Sequence, residues 1–258
     1  MTNRFVGSIV GIVAAFVVVV ALVGWALSFM EGPIRSLQPV PTDVPPARGT
    51  AVLPIDIHAA GRTADQLTEW AAPIAEETGI PAAALRAYAN AELIAAESWP
   101  ECHIYWNTLA GIGYVETHHG TYSGELFSTR SIDADGYVLP AIIGPQLNGT
   151  GGFAEIRDTD GGRLDGDTEF DRAVGPMQFI PESWARFGRD ANGDSVADPN
   201  QIDDAAISAA NLLCSGGRDL ATPEGWASAI RSYNMSDKYL TDVRDTAASY
   251  ALSQPTTQ

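Results

Sequence analysis

The sequence predicts a mainly α-helical domain behind one N-terminal transmembrane helix. Three observations carry this reading: an uncharged apolar stretch at the start, a Pro-rich stretch after it, and apolar residues at helical spacing through most of the remainder. The chain has 258 residues, of which 45% are hydrophobic and only 18% charged. That is too apolar for a disordered chain and too mixed for several membrane spans.

Phe5 to Met30 contain no charged residue. A helix of that length rises roughly 39 Å, enough to cross a hydrocarbon core of about 30 Å with some tilt. A cleaved leader has a shorter apolar core, so an uncleaved anchor over residues 5–30 is expected. Arg4 precedes the stretch and Glu31 is the first charge after it. The positive-inside rule then leaves residues 1–4 as a cytoplasmic stub and places the rest outside the membrane. Residues 31–62 hold Pro33, Pro39, Pro41, Pro45, Pro46 and Pro54, the composition of a semi-extended linker. The globular domain is expected over 63–252, with 253–258 as a polar tail.

Within that domain Thr63 and Gln66 form a capping-box pattern ahead of Leu67, Trp70 and Ile74. Pro81 stands where a first helical residue belongs, before Ala84, Tyr88, Ala91 and Ala95 on one face. A third apolar helix is expected at about 103–118 and an irregular, Gly- and Asp-rich excursion over 120–172, with strand signals in runs such as Tyr137–Ile143. Helices follow at Pro181–Phe187 and Asp204–Cys214, the second closed by Gly216-Gly217. Thr222-Pro223 opens another with Trp226, Ile230 and Tyr233 on one face, and a last helix runs from about Lys238 to Tyr250.

Fifteen Lys and Arg against 32 Asp and Glu give a net charge of −17. A protein that grips nucleic acid neutralises phosphates with a basic face, so no nucleic-acid partner is expected. Cys102 and Cys214 are the only cysteines. Both fall outside the membrane in this topology, where a pair is bridged rather than free.

Tyr105, Leu109, Ile112 and Glu116 share one helix face, three bulky residues and one carboxylate. Burying an ionised carboxylate is costly, and the usual escape is a raised pKa. A carboxyl kept protonated in a half-apolar cleft is what a general acid requires. The same spacing also fits an ordinary charge at a helix end, and spacing alone does not decide between them. Gly111 and Gly113 leave room for another backbone or a substrate.

Gly111-Ile-Gly-Tyr-Val-Glu116-Thr-His-His-Gly120, then Gly175-Pro-Met-Gln-Phe-Ile-Pro181 with Trp184, then Ser232-Tyr233-Asn234 resemble the three signature blocks of lytic murein transglycosylases. The likeness is to the membrane-bound type B group, its actinobacterial members in particular, and spans roughly 63–250. The resemblance implies a lysozyme-like fold and cleavage of the N-acetylmuramic acid to N-acetylglucosamine bond of peptidoglycan. Its product is a 1,6-anhydro-muramyl end, formed when the sugar's own C6 hydroxyl attacks. It implies Glu116 as sole acid and base, with Gln178, Tyr233 and Asn234 lining the sugar subsites and Met177 and Phe179 at the cleft wall. Thr117 stands where many other transglycosylase groups have Ser, its hydroxyl expected to be available. Peptidoglycan glycan strands are then the partner, and no cofactor is required. A water-using muramidase needs a second carboxylate, for which Asp165, Asp167, Asp171 and Glu182 are anonymous candidates; a non-catalytic glycan-binding scaffold is the alternative from another class.

Asp190, Asn192, Asp194, Val196 and Asp198 stand at positions 1, 3, 5, 7 and 9 of a calcium loop. Ser195 replaces the usual Gly at position 6 and Gln201 the Glu at position 12, with Asp203 nearby as a substitute. A structural calcium ion and a solvated Asx-turn loop are both open on this pattern; some type B transglycosylases carry such a loop. His118-His119 lack the spacing of a zinc pair.

Overall fold

The computed structural model describes residues 37–122, 130–152 and 154–256, and Pro39–Gln258 forms one compact unit. The stretch expected to cross a membrane, 5–30, lies outside the described residues. Among the described residues no helix is long and apolar enough to cross a membrane.

Seven α-helices stand among the described residues, in keeping with the mainly α expectation. A 3-10 turn, Thr63–Leu67, leads into α1 (Thr68–Thr78); α2 (Ala82–Ser98) and α3 (Trp106–Thr117) follow. After the excursion come α4 (Pro181–Phe187), α5 (Ile202–Cys214), α6 (Pro223–Tyr233) and α7 (Asp237–Ala251). The excursion carries two small antiparallel pairs. β1 (Ser131–Ile132) pairs with β2 (Val138–Leu139), and β3 (Ile143–Gln146) with β4 (Arg172–Val174) through an irregular register.

α5 is buried at every position, its polar residues included: Asp203 is met by Arg62 and Gln201, and Asp204 accepts the Ala191 and Asp198 N–H groups. It packs on α2, while α3 lies along α7 and crosses α2. Gly111 sets the α3–α7 approach: a Cβ there would stand 2.8 Å from the Val243 carbonyl. Gly113 makes room for the Tyr88 hydroxyl. Both glycines therefore admit protein neighbours rather than a ligand. α6 opens as expected, the Thr222 hydroxyl accepting the Gly225 N–H at 3.1 Å with Pro223 next.

Two expectations need correction. Thr63 and Gln66 do not cap a helix: Thr63 Oγ1 donates to Asn90 at 3.0 Å and the Gln66 amide pairs with the Asp56 backbone. The linker expected to run free to residue 62 is instead laid on the helices from Val44 onward. The indole N–H groups of Trp70 and Trp106 donate to the Ala51 and Thr50 carbonyls, and Asn107 binds Ala47 and Gly49. Arg48 meets the buried Glu92 at 2.6 Å. Glu92 in turn accepts the Trp106 N–H at 2.7 Å, a carboxylate at the positive end of α3. Prolines gave the segment its extended shape, but buried tryptophan donors, each needing an acceptor, hold it down.

Cys102 and Cys214 are joined, the pairing that the sequence predicts. The bridge ties the chain just ahead of α3 to the end of α5.

Candidate active site

α3 ends abruptly just after Glu116. His118, His119 and Gly120 take left-handed φ values of 49°, 59° and 82°, reversing the chain within one turn of the acid. Thr117 holds this reversal: its hydroxyl donates to the Pro176 carbonyl at 2.5 Å and accepts the Gly120 N–H at 2.7 Å. The Thr117 hydroxyl, expected to be available to substrate, is thus buried and doubly engaged. It joins the first sequence block to the second.

The second block, Gly175–Phe179, is a tight turn. Val174 and Phe179 exchange both backbone hydrogen bonds across it, at 2.8 and 3.0 Å. Gly175, at φ 75°, leaves no space for a side chain against the Pro199 carbonyl. Gln178 is left-handed at φ 50°, uncommon for a residue with a side chain and a form of strain that gathers at functional sites. Its side-chain amide donates to the Gly175 carbonyl at 2.9 Å, and its Oε1 faces Gly144 of β3.

The third block closes on the second. Tyr233, at the end of α6, donates its hydroxyl to the Met177 carbonyl at 2.7 Å and meets the Phe179 ring edge-on at 5.7 Å. Phe179 meets Trp184 likewise at 5.3 Å. Met177 and Phe179, expected at the cleft wall, are buried in the core beneath the turn. Their apolar side chains support the wall instead of lining it. Asn234 is exposed at the end of α6, its side-chain oxygen accepting the Ser236 N–H at 3.0 Å.

Glu116 is half-buried where these blocks meet, and its partner is one that the sequence did not single out. Tyr239, from the first turn of α7, donates its hydroxyl to Glu116 Oε1 at 2.5 Å. The Tyr239 ring lies nearly parallel to Tyr233, 8° between planes and 6.4 Å between centroids. Burial pushes the Glu116 carboxyl up to about 7, and the Tyr239 hydrogen bond pulls against it. Burial and the Glu116 charge hold both tyrosines well above their ordinary range, so Tyr239 is a donor at every working pH. A helical stripe could have revealed it: Tyr239, Val243, Ala247 and Tyr250 all lie on the buried side of α7.

The two histidines part company. His119 is buried between the hydroxyls of Tyr88 (3.2 Å) and Tyr250 (2.9 Å), tying α2, the α3 terminus and α7 together. Burial drives it down to about 3, so it is neutral and puts no positive charge beside the acid. His118 is exposed, stacked on Tyr114 at 4.4 Å and next to the exposed Tyr122 at 5.0 Å.

Three of the four anonymous carboxylates are engaged elsewhere. Asp165 accepts the N–H groups of Asp167 and Arg172, Asp167 binds Gln146 and Arg172, and Asp171 binds Thr159. Glu182 is exposed on α4. In the 190–198 loop, Asp190 accepts the Gly193 and Ser195 N–H groups, Asp194 that of Val196 and Asp198 that of Asn200. The Asn192 side chain accepts the Asp194 N–H and donates to the Asp194 carboxylate. Ser195 supplies the left-handed turn at φ 71° that Gly would otherwise make. Asp203, the candidate substitute ligand, is committed to Arg62 and Gln201. Among the described residues no three His, Cys, Asp or Glu side chains group so as to hold a metal ion.

Residues 168–233 match the family model described as the transglycosylase SLT domain. The match supports a transglycosylase family and covers β4, α4, α5 and α6, with Gln178 and Tyr233 inside it. Glu116, Thr117, Asn234 and Tyr239 fall outside. No curated protein and no solved structure matches the chain.

Proposed function

We propose that the protein is a peptidoglycan lytic transglycosylase of lysozyme-like fold, with Glu116 as its single acid and base. The observation that carries this is the half-buried Glu116 carboxyl, raised to about 7 and held by Tyr239. It stands beside the turn and tyrosine that belong to the matched transglycosylase segment.

In this reading protonated Glu116 gives its proton to the glycosidic oxygen as the bond from the muramyl C1 breaks. Positive charge then develops at C1, beside a carboxylate that has just become ionised. The C6 hydroxyl attacks C1 and passes its proton to Glu116, which restores the acid and leaves a 1,6-anhydro ring. Water is not consumed. A pKa near neutrality suits a group that must first donate and then accept a proton. Tyr239 positions the acid and steadies its charged form, and the sugar's own hydroxyl removes the need for a second carboxylate. Gln178 and Asn234 would meet the sugars at either side, and Tyr233 would support the Tyr239 ring.

The type B assignment rests on the sequence blocks, and the cell-membrane location on the apolar stretch 5–30, which would hold the domain outside facing the wall. Digestion of purified peptidoglycan by the full chain, with Glu116→Gln beside it, tests the reading. Anhydro-muramyl ends detected by mass spectrometry, and lost in the variant, support it. Wall binding without any product would instead identify a glycan-binding scaffold.

A further inference from the structure

On the outer side of α6, away from the tyrosines, an open cleft of about 720 Å³ is lined by Val44, Arg218, Ser228, Arg231 and Ser232, with Glu224 at its edge. A second depression of about 360 Å³ adjoins it against α4, sharing Arg218 and Ser232 and adding Arg186, Phe187 and Glu182. Together they make a groove that passes over the end of α5. Three arginines converge there on a chain with only 15 Lys and Arg against 32 Asp and Glu.

Two of the three have no carboxylate partner among the described residues. Arg218 spends one nitrogen, Nη1, on the Leu212 and Leu213 carbonyls and the Ser215 hydroxyl. This fixes the guanidinium at the negative end of α5 and leaves its other edge for a ligand. Arg186 lies over the Phe187 ring at 4.9 Å. Arg231 is paired with the exposed Asp237 at 3.0 Å, an ion pair worth little in water. A planar guanidinium matches a carboxylate through two parallel hydrogen bonds. Glu182 and Glu224 in the same lining disfavour a pure polyanion and suit an ammonium group. Charges of both signs, set over Phe187 and Val44, fit an extended peptide that bears carboxylates and an amine.

We propose that this groove binds such a peptide, and that its source is the peptide attached to the glycan strands. The identity of the source rests on the function proposed above; the groove's chemistry does not. α6 carries the groove on one face and Tyr233 on the other, so a strand whose peptide lies in the groove would have its glycan led toward the cleft.

The test is titration of the full chain with the synthetic tetrapeptide L-Ala-D-Glu-L-Lys-D-Ala, followed by calorimetry, with inorganic polyphosphate as a second probe. The proposal expects saturable peptide binding that weakens about tenfold in Arg186→Gln and again in Arg218→Gln. Glu116→Gln should bind the peptide as the parent does. Because Arg218 also caps α5, the exposed Arg186 variant decides the matter if the other is unstable. Equal binding by Arg186→Gln and the parent, or polyphosphate binding with no peptide binding, overturns the groove. Wall digestion with no peptide binding overturns the groove alone, and peptide binding with no digestion overturns only the catalytic reading.

Discussion

Replacing Tyr239 with Phe removes one hydroxyl from the acid and little else, because the ring that lies parallel to Tyr233 is kept. That hydroxyl donates to Glu116 at 2.5 Å and lowers a pKa that burial has raised to about 7. A hydrogen bond to a charged group contributes about 1.5–3 kcal/mol, and 1.36 kcal/mol corresponds to one pH unit. Its loss moves the ionisation of Glu116 upward by about one to two pH units. The proton donor must be protonated in the free enzyme, so the alkaline limb of kcat/KM follows that ionisation. At pH 8 about a tenth of the parent's acid is protonated, against about half or more in the variant. The assay is release of soluble fragments from purified peptidoglycan between pH 5 and 9. The rate at the optimum can fall with poorer positioning, but the position of the limb decides. A limb that stays in place or moves to lower pH would refute the assignment of Tyr239 as the group that steadies the charged acid.

The same burial makes Glu116 costly to the fold. Its folded pKa is raised, so the stability it contributes is complete below the ordinary carboxyl pKa of 4.5 and is lost as pH rises through about 7. Glu116→Gln should therefore unfold with a free energy up to about 3 kcal/mol greater than the parent at pH 8, and no greater near pH 4, in denaturant titrations. Cys102→Ser with Cys214→Ser opens a loop with a sequence separation of 112. This should cost about 4–5 kcal/mol in the same titrations, and a loss under 1 kcal/mol would show that the bridge constrains little. The 190–198 loop satisfies its carboxylates with its own N–H groups, so a chelator should leave Tm unchanged. A fall in Tm restored by added calcium would put an ion there.

Much of the frame was legible because local rules act without tertiary help. Thr222-Pro223 opens α6, Pro181 opens α4, and the period-3.6 stripe put the half-buried Glu116 in line with the buried Leu109 and Ile112 of α3. The failures share one physical cause: a side chain's partner across the fold cannot be read from spacing. Thr63 and Gln66 had a capping pattern, yet Asn90 and the Asp56 backbone claim them. The prolines around residue 45 implied a free tether, yet two indole N–H groups needed the carbonyls it carries. Thr117 had a free-looking hydroxyl that the Pro176 carbonyl takes. At the site, the acid was visible and its hydrogen-bond donor was not. Tyr239 is 123 residues away along the chain, and only the packing of α7 on α3 brings it back.

The central claim, that Glu116 alone drives cleavage with the sugar's own hydroxyl as nucleophile, is tested most directly by the fate of water. Purified peptidoglycan is digested by the full chain in water enriched in oxygen-18, and the muramyl ends are weighed by mass spectrometry. The account predicts 1,6-anhydro ends carrying no heavy oxygen, absent when Glu116→Gln replaces the parent. Reducing muramyl ends that carry one heavy oxygen would contradict it, since water would then be the nucleophile and a second carboxylate would have to activate it.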